Sequence, residues 1–273
     1  MNRRVKAFGK SLKSIIHDPY LFARLVSAFP RVSDALRFSN TYRPNGTFAL
    51  NETVCLSPNP LWDYFRGHTQ GRGIWKWQHY FEIYHRHLAH FVGHKVNVLE
   101  IGVYSGGSLE MWHSFFGDKS HIYGVDIEDA CKEYACDYIS IFTGDQADRK
   151  FWKGFIEAVE GIDILIDDGG HSPEQQQVTL EEMLPILRPG GVYICEDIHN
   201  RFNGFTEFAT GLVRELNNCS FVTDDRSKTY VSQFQSAIHS IHFYPFVMVI
   251  EKHLSPLRGL SALKQGTVWK PGI

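Results

Sequence analysis

The sequence predicts a doubly wound α/β fold, in which five parallel strands are followed by an antiparallel hairpin. Three observations predict it. From about residue 74, short apolar runs alternate with helical stretches, which is typical of βα units. The apolar runs are nearly continuous, as in parallel strands that are covered on both faces. The last two runs are joined by almost no linker, which fits antiparallel pairing rather than a crossover.

Composition sets limits on the class of protein. The 273 residues are 43% hydrophobic and 21% charged, enough for one sizeable domain with an extension. A net charge of -2 provides no basic field, so we expect no nucleic-acid partner. The five cysteines are odd in number and lack CxxC spacing, which favours a reduced, cytoplasmic setting. No apolar run approaches the roughly 20 residues of a transmembrane helix.

Residues 1–72 form a predicted N-terminal extension, and residues 73–273 form the predicted α/β domain. Residues 5–15 carry apolar side chains at helical spacing, with lysines elsewhere on the helix. A second apolar cluster covers residues 20–29, and residues 40–65 read as loop because Asn, Pro and Thr are frequent. We expect helices that contact a substrate, the core or a second subunit. Contact with a second subunit would make the protein a homo-oligomer. The alternative is a basic amphipathic helix in weak contact with a membrane surface.

The elements of the α/β domain follow in order. A helix is predicted from residue 74 to Gly93, because helices often end at glycine. The five strand-like runs are VNVLEIGVY, HIYGVDI, YISIFTGD, IDILIDDGG and GGVYICEDI. The helices between them are expected at 107–117, 129–136, 148–160 and 173–187. AIHSIHFY and FVMVIEK, on either side of Pro245, form the predicted hairpin.

Three histidines of the first helix, His87, His90 and His94, share one helical face. Such a face could bind a transition metal. However, no acid or cysteine of the helix completes the ligand set, so we interpret these residues as ordinary surface histidines.

Ligands of an open α/β sheet bind beyond the carboxyl ends of its strands. After the first strand, glycines permit close backbone approach and a helix N-terminus follows. The string G-V-Y-S-G-G is not G-x-G-x-x-G, which argues against a dinucleotide. Asp126, after the second strand, is placed to accept hydrogen bonds from ribose hydroxyls, and Asp145 and Gln146 could contact an adenine edge. Together these positions predict an adenosine-bearing ligand.

The fourth and fifth strands end in paired acids, Asp167-Asp168 and Glu196-Asp197. Neighbouring strands lie about 4.8 Å apart, so four carboxylates should converge. Like charges at this distance repel and raise one another's pKa values unless a positive charge lies among them. A divalent cation with oxygen ligands meets that need, and Mg2+ or Mn2+ fits one carboxylate from the fourth strand and two from the fifth.

His171 follows this acid pair and two glycines that allow a sharp turn. Ser172 is the predicted N-cap of the next helix, with Pro173 as its first residue and Gln175 as the capping-box partner. The turn should therefore hold the imidazole at the rim, facing the metal. An unperturbed imidazole titrates near pH 6.5 and can accept a proton at neutral pH.

Together, five strings resemble a known family: VLEIGVYSGGSLEMW, TGDQAD, DILIDDGGHS, LRPGGVYICEDI and SIHFYPFVMVIEK. They are similar to the magnesium-dependent sugar O-methyltransferases of macrolide biosynthesis and to the related cephalosporin-hydroxylase/rhamnosyl O-methyltransferase group. The resemblance runs from about Gly73 to Lys252, and Tyr80 to His87 resembles the family's Y-x-x-x-Y-x-R-H helix near the cofactor. Five parallel strands with an antiparallel hairpin are also the pattern of class I methyltransferases.

The resemblance implies an S-adenosylmethionine-dependent O-methyltransferase that acts on a sugar hydroxyl, with the metal bound by two vicinal oxygens of the acceptor. It implies metal ligands at Asp168, Glu196 and Asp197, and His171 as general base. The residues expected to contact the cofactor are Glu100, Gly102, Ser105, Ser108, Asp126, Asp145, Gln146 and Asp167.

Two alternatives stay open. A phenolic or catechol-like acceptor could use the same metal, and the aromatic residues that could form a flat apolar pocket for it are Trp62, Tyr64, Phe65, Trp75 and Trp77. The other alternative is an S-adenosylmethionine-binding accessory subunit without turnover, which the acids and His171 argue against because such a subunit needs no general base.

Overall fold

The computed structural model describes residues 19–43, 58–199, 203–218, 220–222 and 225–267. The chain divides into two units, Met1–Val54 and Cys55–Ile273. In the first unit, helix α1 (Pro19–Thr41) contains the second apolar cluster, whereas the helix predicted at residues 5–15 lies outside the described residues. Residues 58–72, which we grouped with the extension, lie in the second unit.

The second unit is built on a seven-stranded sheet with the order β3-β2-β1-β4-β5-β9-β8. The first five strands pair in parallel, and β9 pairs antiparallel with both β5 and β8, which confirms the predicted fold class. The strands are β1 Val96–Ile101, β2 Ser120–Asp126, β3 Ile139–Thr143, β4 Ile162–Asp167, β5 Leu187–Cys195, β8 Ile238–Tyr244 and β9 Val247–Lys252. A small antiparallel sheet has the order β10-β7-β6 and comprises β6 Ser220–Val222, β7 Asp225–Tyr230 and β10 Leu260–Ser261.

Helix α2 (Pro60–Gly67) corrects the prediction of loop over residues 40–65, and both α2 and α5 (Arg149–Ala158) begin directly after a capping residue. Asn59 caps α2 and Asp148 caps α5, because each side chain accepts a hydrogen bond from a backbone N–H of the first turn. The predicted helix at 129–136 is instead a 3-10 helix, Asp129–Tyr134. The helices are α2 Pro60–Gly67, α3 Tyr80–Leu88, α4 Gly107–Phe116, α5 Arg149–Ala158, α6 Pro173–Met183, α7 Gly204–Leu216 and α8 Gln233–Ala237.

Alternate residues of the central strands supply two apolar layers. In β1, Val98 packs on the layer that includes residues of α3 and α4, whereas Leu99 packs on the layer that includes residues of α5, α6 and α7. Both side chains are fully buried. The burial of β1 on both faces explains why its sequence is almost continuously apolar. Among the helices in the described parts of the chain, none combines the length and apolar character that a bilayer-spanning segment needs.

The segment Gly73–Gln78 corrects one prediction, because it is not helical and α3 begins only at Tyr80. Its side chains alternate: Trp75 is 87% exposed, whereas the side chain of Lys76 is 3% exposed. Alternation with a period of two is typical of extended chain, not of a helix. The segment therefore carries Lys76 inward.

Candidate active site

A cleft of about 740 Å³ opens at the carboxyl ends of the parallel strands. Hydrogen bonds continue past the strand ends and align the residues that follow. The Gly102 N–H donates to the Val125 carbonyl at 2.8 Å, and the Asp168 N–H donates to the Ile101 carbonyl at 3.0 Å. The Glu196 N–H donates to the Asp167 carbonyl at 2.9 Å. The chain that follows β1, β4 and β5 is therefore held as one continuous rim.

Only glycine fits at position 102, because both the backbone conformation and the lack of room for a Cβ exclude other residues. The φ of Gly102 is +88°, in the left-handed region, and a Cβ there would lie 2.0 Å from the Asp168 carbonyl oxygen. The loop after β1 and the loop after β4 thus touch through backbone alone. Gly102 and Ser105 both line the cleft, as predicted for cofactor contacts.

Asp126 lines the cleft but already binds backbone. Its Oδ2 accepts from the N–H groups of Val103 at 2.9 Å and Tyr104 at 3.0 Å, and its Oδ1 accepts from Glu128. A carboxylate has about four acceptor positions, so capacity for ribose hydroxyls remains. The acid thus also fixes the glycine loop. Asp145 lines the cleft and is exposed.

The adenine contact predicted for Gln146 stays a prediction, because Gln146 lines the cleft although its side-chain amide is engaged within the protein. Its amide nitrogen donates to Asp167 at 2.9 Å and to Thr179 at 3.2 Å, and its Oε1 accepts from the Gly170 N–H at 2.7 Å. Both N–H groups of the Gln146 side-chain amide are thus hydrogen-bonded within the protein. Asp167, also predicted to contact the cofactor, does not line the cleft and is 1% exposed. Burial raises its pKa to about 6, so Asp167 supports the rim from below.

Glu100 is likewise buried and does not line the cleft, which corrects its assignment as a cofactor contact. It accepts a 2.6 Å hydrogen bond from the Ser108 hydroxyl. Ser108 lines the cleft, but its hydroxyl is directed to this acid. Burial raises the pKa of Glu100, and the neighbouring ammonium of Lys76 opposes that rise.

The positive charge among the acids is Lys76, which the sequence analysis missed. Its Nζ lies 2.7 Å from Asp168, 3.1 Å from Glu196 and 3.3 Å from Glu100. The predicted dication is therefore not the only charge that can neutralise these acids, because the chain supplies a cation of its own. Three carboxylates thus share one ammonium, so two negative charges remain in formal count.

Helix α3 places two tyrosines against the fifth-strand acids. The Tyr84 hydroxyl donates to Glu196 at 2.6 Å, and the Tyr80 hydroxyl donates to Asp197 at 2.6 Å. The indole N–H of Trp77 also donates to Asp197, at 3.0 Å. Burial raises the pKa of Glu196 to about 8, although Lys76 lowers it in part. Glu196 thus has one oxygen on Tyr84 and the other on Lys76.

Asp168, Asp197 and His171 present ligand atoms within 4.8 Å of one another. The His171 Nε2 lies 3.6 Å from Asp197 Oδ2 and 3.9 Å from Asp168 Oδ1, which is beyond hydrogen-bonding distance. All three residues line the cleft. Of the three predicted metal ligands, Asp168 and Asp197 therefore face the cleft beside the imidazole, whereas the two oxygens of Glu196 face Tyr84 and Lys76.

The turn that carries His171 confirms the predicted capping box of Ser172 and Gln175, with Pro173 as the first helical residue. The two preceding glycines serve a different purpose from the one predicted. Neither has positive φ; a Cβ on Gly169 would instead meet the Gln146 side chain at 1.9 Å. The left-handed residue is His171 itself, with φ of 54°, and its Nδ1 is buried without a partner among the described residues.

Residues 99–198 match a family described as a methyltransferase domain. Over 217 residues, the chain is 30% identical to the 8-demethyl-8-alpha-L-rhamnosyl tetracenomycin-C 2'-O-methyltransferase of Streptomyces olivaceus, covering 72% of this chain and 56% of that protein. It is 38% identical over 123 residues to the mycinamicin VI 2''-O-methyltransferase of Micromonospora griseorubida, covering 42% of this chain and 30% of that protein.

Among solved structures, the MycE methyltransferase of the mycinamycin biosynthetic pathway, in complex with Mg, SAH and mycinamycin VI, is similar to this chain. The TM-score is 0.59 at 27% identity, and the match covers 72% of this chain and 54% of that chain. This chain spans about half the length of these relatives or less. The comparisons confirm the predicted resemblance to sugar O-methyltransferases and the class I methyltransferase fold.

Proposed function

We propose that this chain, whose residues 99–198 match a methyltransferase domain and which resembles sugar O-methyltransferases, methylates a sugar hydroxyl of a natural-product glycoside or polysaccharide with S-adenosylmethionine as donor. One observation carries the proposal. The same cleft is lined by the glycine loop after β1 and, a few ångströms from one another, by Asp168, His171 and Asp197. Donor and acceptor could therefore meet beside an imidazole and two carboxylates.

The cleft fits S-adenosylmethionine in size and in chemistry. A volume near 740 Å³ lies within the range of pockets that hold ligands of this kind. Gly102 and Ser105 provide close backbone approach, and Asp126 retains acceptor capacity for ribose hydroxyls. The bound cofactor supplies an electrophilic methyl group on a sulfonium centre.

The donor set fits Mg2+, because carboxylate oxygens are the ligands that this ion prefers. Asp168 and Asp197 would hold it, and Glu196 could join if its oxygen exchanged Lys76 for the ion. Bound at this position, Mg2+ lowers the pKa of a chelated hydroxyl and orients it. The excess of negative charge that Lys76 leaves uncompensated supports the assignment, since a dication reduces it further.

His171 accepts the hydroxyl proton of the acceptor at Nε2, the ring nitrogen that lies beside Asp168 and Asp197. General base catalysis of this kind contributes about 10²- to 10⁴-fold in rate. The oxygen then attacks the methyl carbon, the carbon–sulfur bond breaks, and S-adenosylhomocysteine leaves. The fixed left-handed turn holds the ring in place, which supports the contribution of proximity.

A phenolic acceptor is the second candidate, because aromatic side chains surround the mouth of the cleft. Trp75 and Trp77 line it, and Trp77 contacts Phe246 with ring centroids 5.5 Å apart. Trp62, Tyr64 and Phe65 instead pack on the core, so only part of the aromatic set predicted for such a pocket is available.

The test is S-adenosylhomocysteine release from the purified chain with Mg2+ against rhamnosides, other glycosides and catechols. We expect turnover with a glycoside, loss of turnover in EDTA, and restoration by Mg2+. Asp168→Ala should be inactive. Full activity in chelator would remove the metal from the proposal. Turnover of catechols alone would replace the acceptor class, and failure to bind S-adenosylmethionine in a calorimetric titration would refute the activity itself.

A further inference from the structure

We infer that His87, His242 and Glu251 form a second metal site, of the zinc class, on the opposite end of helix α3 from the acids. Each residue offers a ligand atom, and these atoms all lie within 4.8 Å of one another. Two imidazoles with one carboxylate are ligands that Zn2+ favours and that Mg2+ does not. The site uses none of the residues proposed above for catalysis.

The three side chains come from elements that the sequence separates widely. His87 lies in the last turn of α3, whereas His242 and Glu251 lie on the paired strands β8 and β9. The His87 Nδ1 lies 2.7 Å from Glu251 Oε1, and the His242 Nε2 lies 3.6 Å from Glu251 Oε2. Ligands of tetrahedral Zn2+ are roughly 3.3 Å apart, given metal–ligand bonds of about 2.0–2.1 Å. Small side-chain rotations would therefore bring these atoms to bonding positions.

The surrounding hydrogen bonds fit ligand roles. The His87 Nδ1 is hydrogen-bonded to Glu251 in this structure, and an ion would replace that hydrogen bond. The second ring nitrogen, Nε2, lies 2.9 Å from the Tyr244 hydroxyl, which could then accept the Nε2 proton and hold the ring in the tautomer that presents Nδ1 to the metal. The Ser240 hydroxyl donates to Glu251 Oε2 at 2.8 Å.

The site also has an entry path. The His87 side chain is 3% exposed, but that of His242 is 38% exposed, so water can reach the cluster from the β8 side. A fourth ligand position would be open to solvent there. This is the arrangement of a three-ligand zinc site rather than a closed four-ligand one.

Metal at this site would stabilise the geometry of the catalytic cleft from a distance. Tyr80, Tyr84 and His87 lie at positions i, i+4 and i+7 of α3 and so share one face. The two tyrosines hold Asp197 and Glu196. An ion on His87 would therefore anchor the helix that positions the acids.

The experiment is Zn2+ binding by the untagged chain, measured by calorimetry and by metal analysis after dialysis, in excess Mg2+ to occupy the acidic cleft. We expect one Zn2+ per chain and an increase in melting temperature. His242→Ala and Glu251→Gln should each weaken binding by at least about tenfold, and Tyr244→Phe by about 10- to 100-fold. Co2+ in place of Zn2+ should give visible absorption that disappears in His242→Ala.

The matched control is His239→Ala, since His239 is exposed on the same strand and lies outside the cluster. Its Zn2+ affinity should equal that of the unmodified chain. The inference is overturned if His242→Ala and Glu251→Gln bind Zn2+ as tightly as the unmodified chain, or if no zinc binds in excess Mg2+. The cluster would then be a hydrogen-bonded contact between α3 and the hairpin. Circular dichroism of each variant separates loss of the site from loss of the fold.

Discussion

Replacement of Lys76 by Met tests the electrostatic design of the cleft. The Lys76 ammonium is buried and contacts three carboxylates at 2.7, 3.1 and 3.3 Å. Removal of one partner from a buried ion pair costs about 3–5 kcal/mol, because the remaining charge is left uncompensated. For a domain of this size each kcal/mol shifts the melting temperature by about 2–4 °C, so Lys76→Met should melt roughly 6–20 °C lower in EDTA.

Mg2+ should then rescue the variant more than the unmodified chain. Coulomb's law at an effective dielectric constant near 20 gives several kcal/mol of repulsion between an ammonium and a dication about 5 Å apart. We therefore expect Lys76→Met to bind Mg2+ at least about tenfold more tightly. Differential scanning calorimetry across a Mg2+ series measures both effects together, because a bound ligand raises the melting temperature with the logarithm of its concentration relative to Kd.

Lys132→Met is the control, since it makes the same substitution in an ion pair with Asp129 whose side chains are 58% and 77% exposed. Its melting temperature should equal that of the unmodified chain, because exposed ion pairs contribute little to stability. The reasoning fails if Lys76→Met in EDTA melts within the range of this control, or if its Mg2+ affinity is unchanged.

Three further predictions concern the rim. His171→Ala should lower kcat by at least about 10²-fold while calorimetric affinities for S-adenosylmethionine and Mg2+ stay within about twofold; a large loss of Mg2+ affinity would make the imidazole a ligand instead of a base. Gly102→Ala places a Cβ 2.0 Å from the Asp168 carbonyl oxygen at a residue with positive φ, so the free energy of unfolding in urea should fall by at least about 2 kcal/mol and Mg2+ affinity should fall as well. An unchanged urea midpoint would contradict this contact. Asp167 keeps its proton in the folded state up to about pH 6 but releases it near 3.8 when unfolded, so its stabilising contribution is present below about pH 4 and falls by about 3 kcal/mol as pH rises to 6. In EDTA the difference in unfolding free energy between the native chain and Asp167→Asn should change by that amount; a constant difference would show that Asp167 does not titrate there.

The fold could be predicted because its signals are local. The apolar runs, the capping box of Ser172 and the short linker at Pro245 each act within a few residues, and each is found where the sequence indicates. Three of the four acids, Asp168, Glu196 and Asp197, line one cleft as predicted, since parallel pairing brings the ends of β4 and β5 together. A sequence can therefore predict which residues the sheet topology brings to one edge.

Side-chain direction could not be predicted in the same way. Asp167 follows a strand as a cofactor contact would, yet it is buried and accepts hydrogen bonds from Gln146 and Tyr193. Lys76 lies 92 residues from Asp168 and 120 from Glu196 in sequence, so no local pattern links them. The burial of Lys76 between two exposed tryptophans shows extended chain in the structure, whereas the sequence predicted a helix from residue 74.

The left-handed backbone at Tyr104, His171 and Asp197 has a consequence for protein engineering. Side chains other than glycine cost on the order of 1 kcal/mol in that conformation, so glycine at these positions would relax the fold. A thermostability screen that ignored turnover would therefore select glycine at positions that line the candidate active site, and libraries built on this scaffold should keep these three residues unchanged.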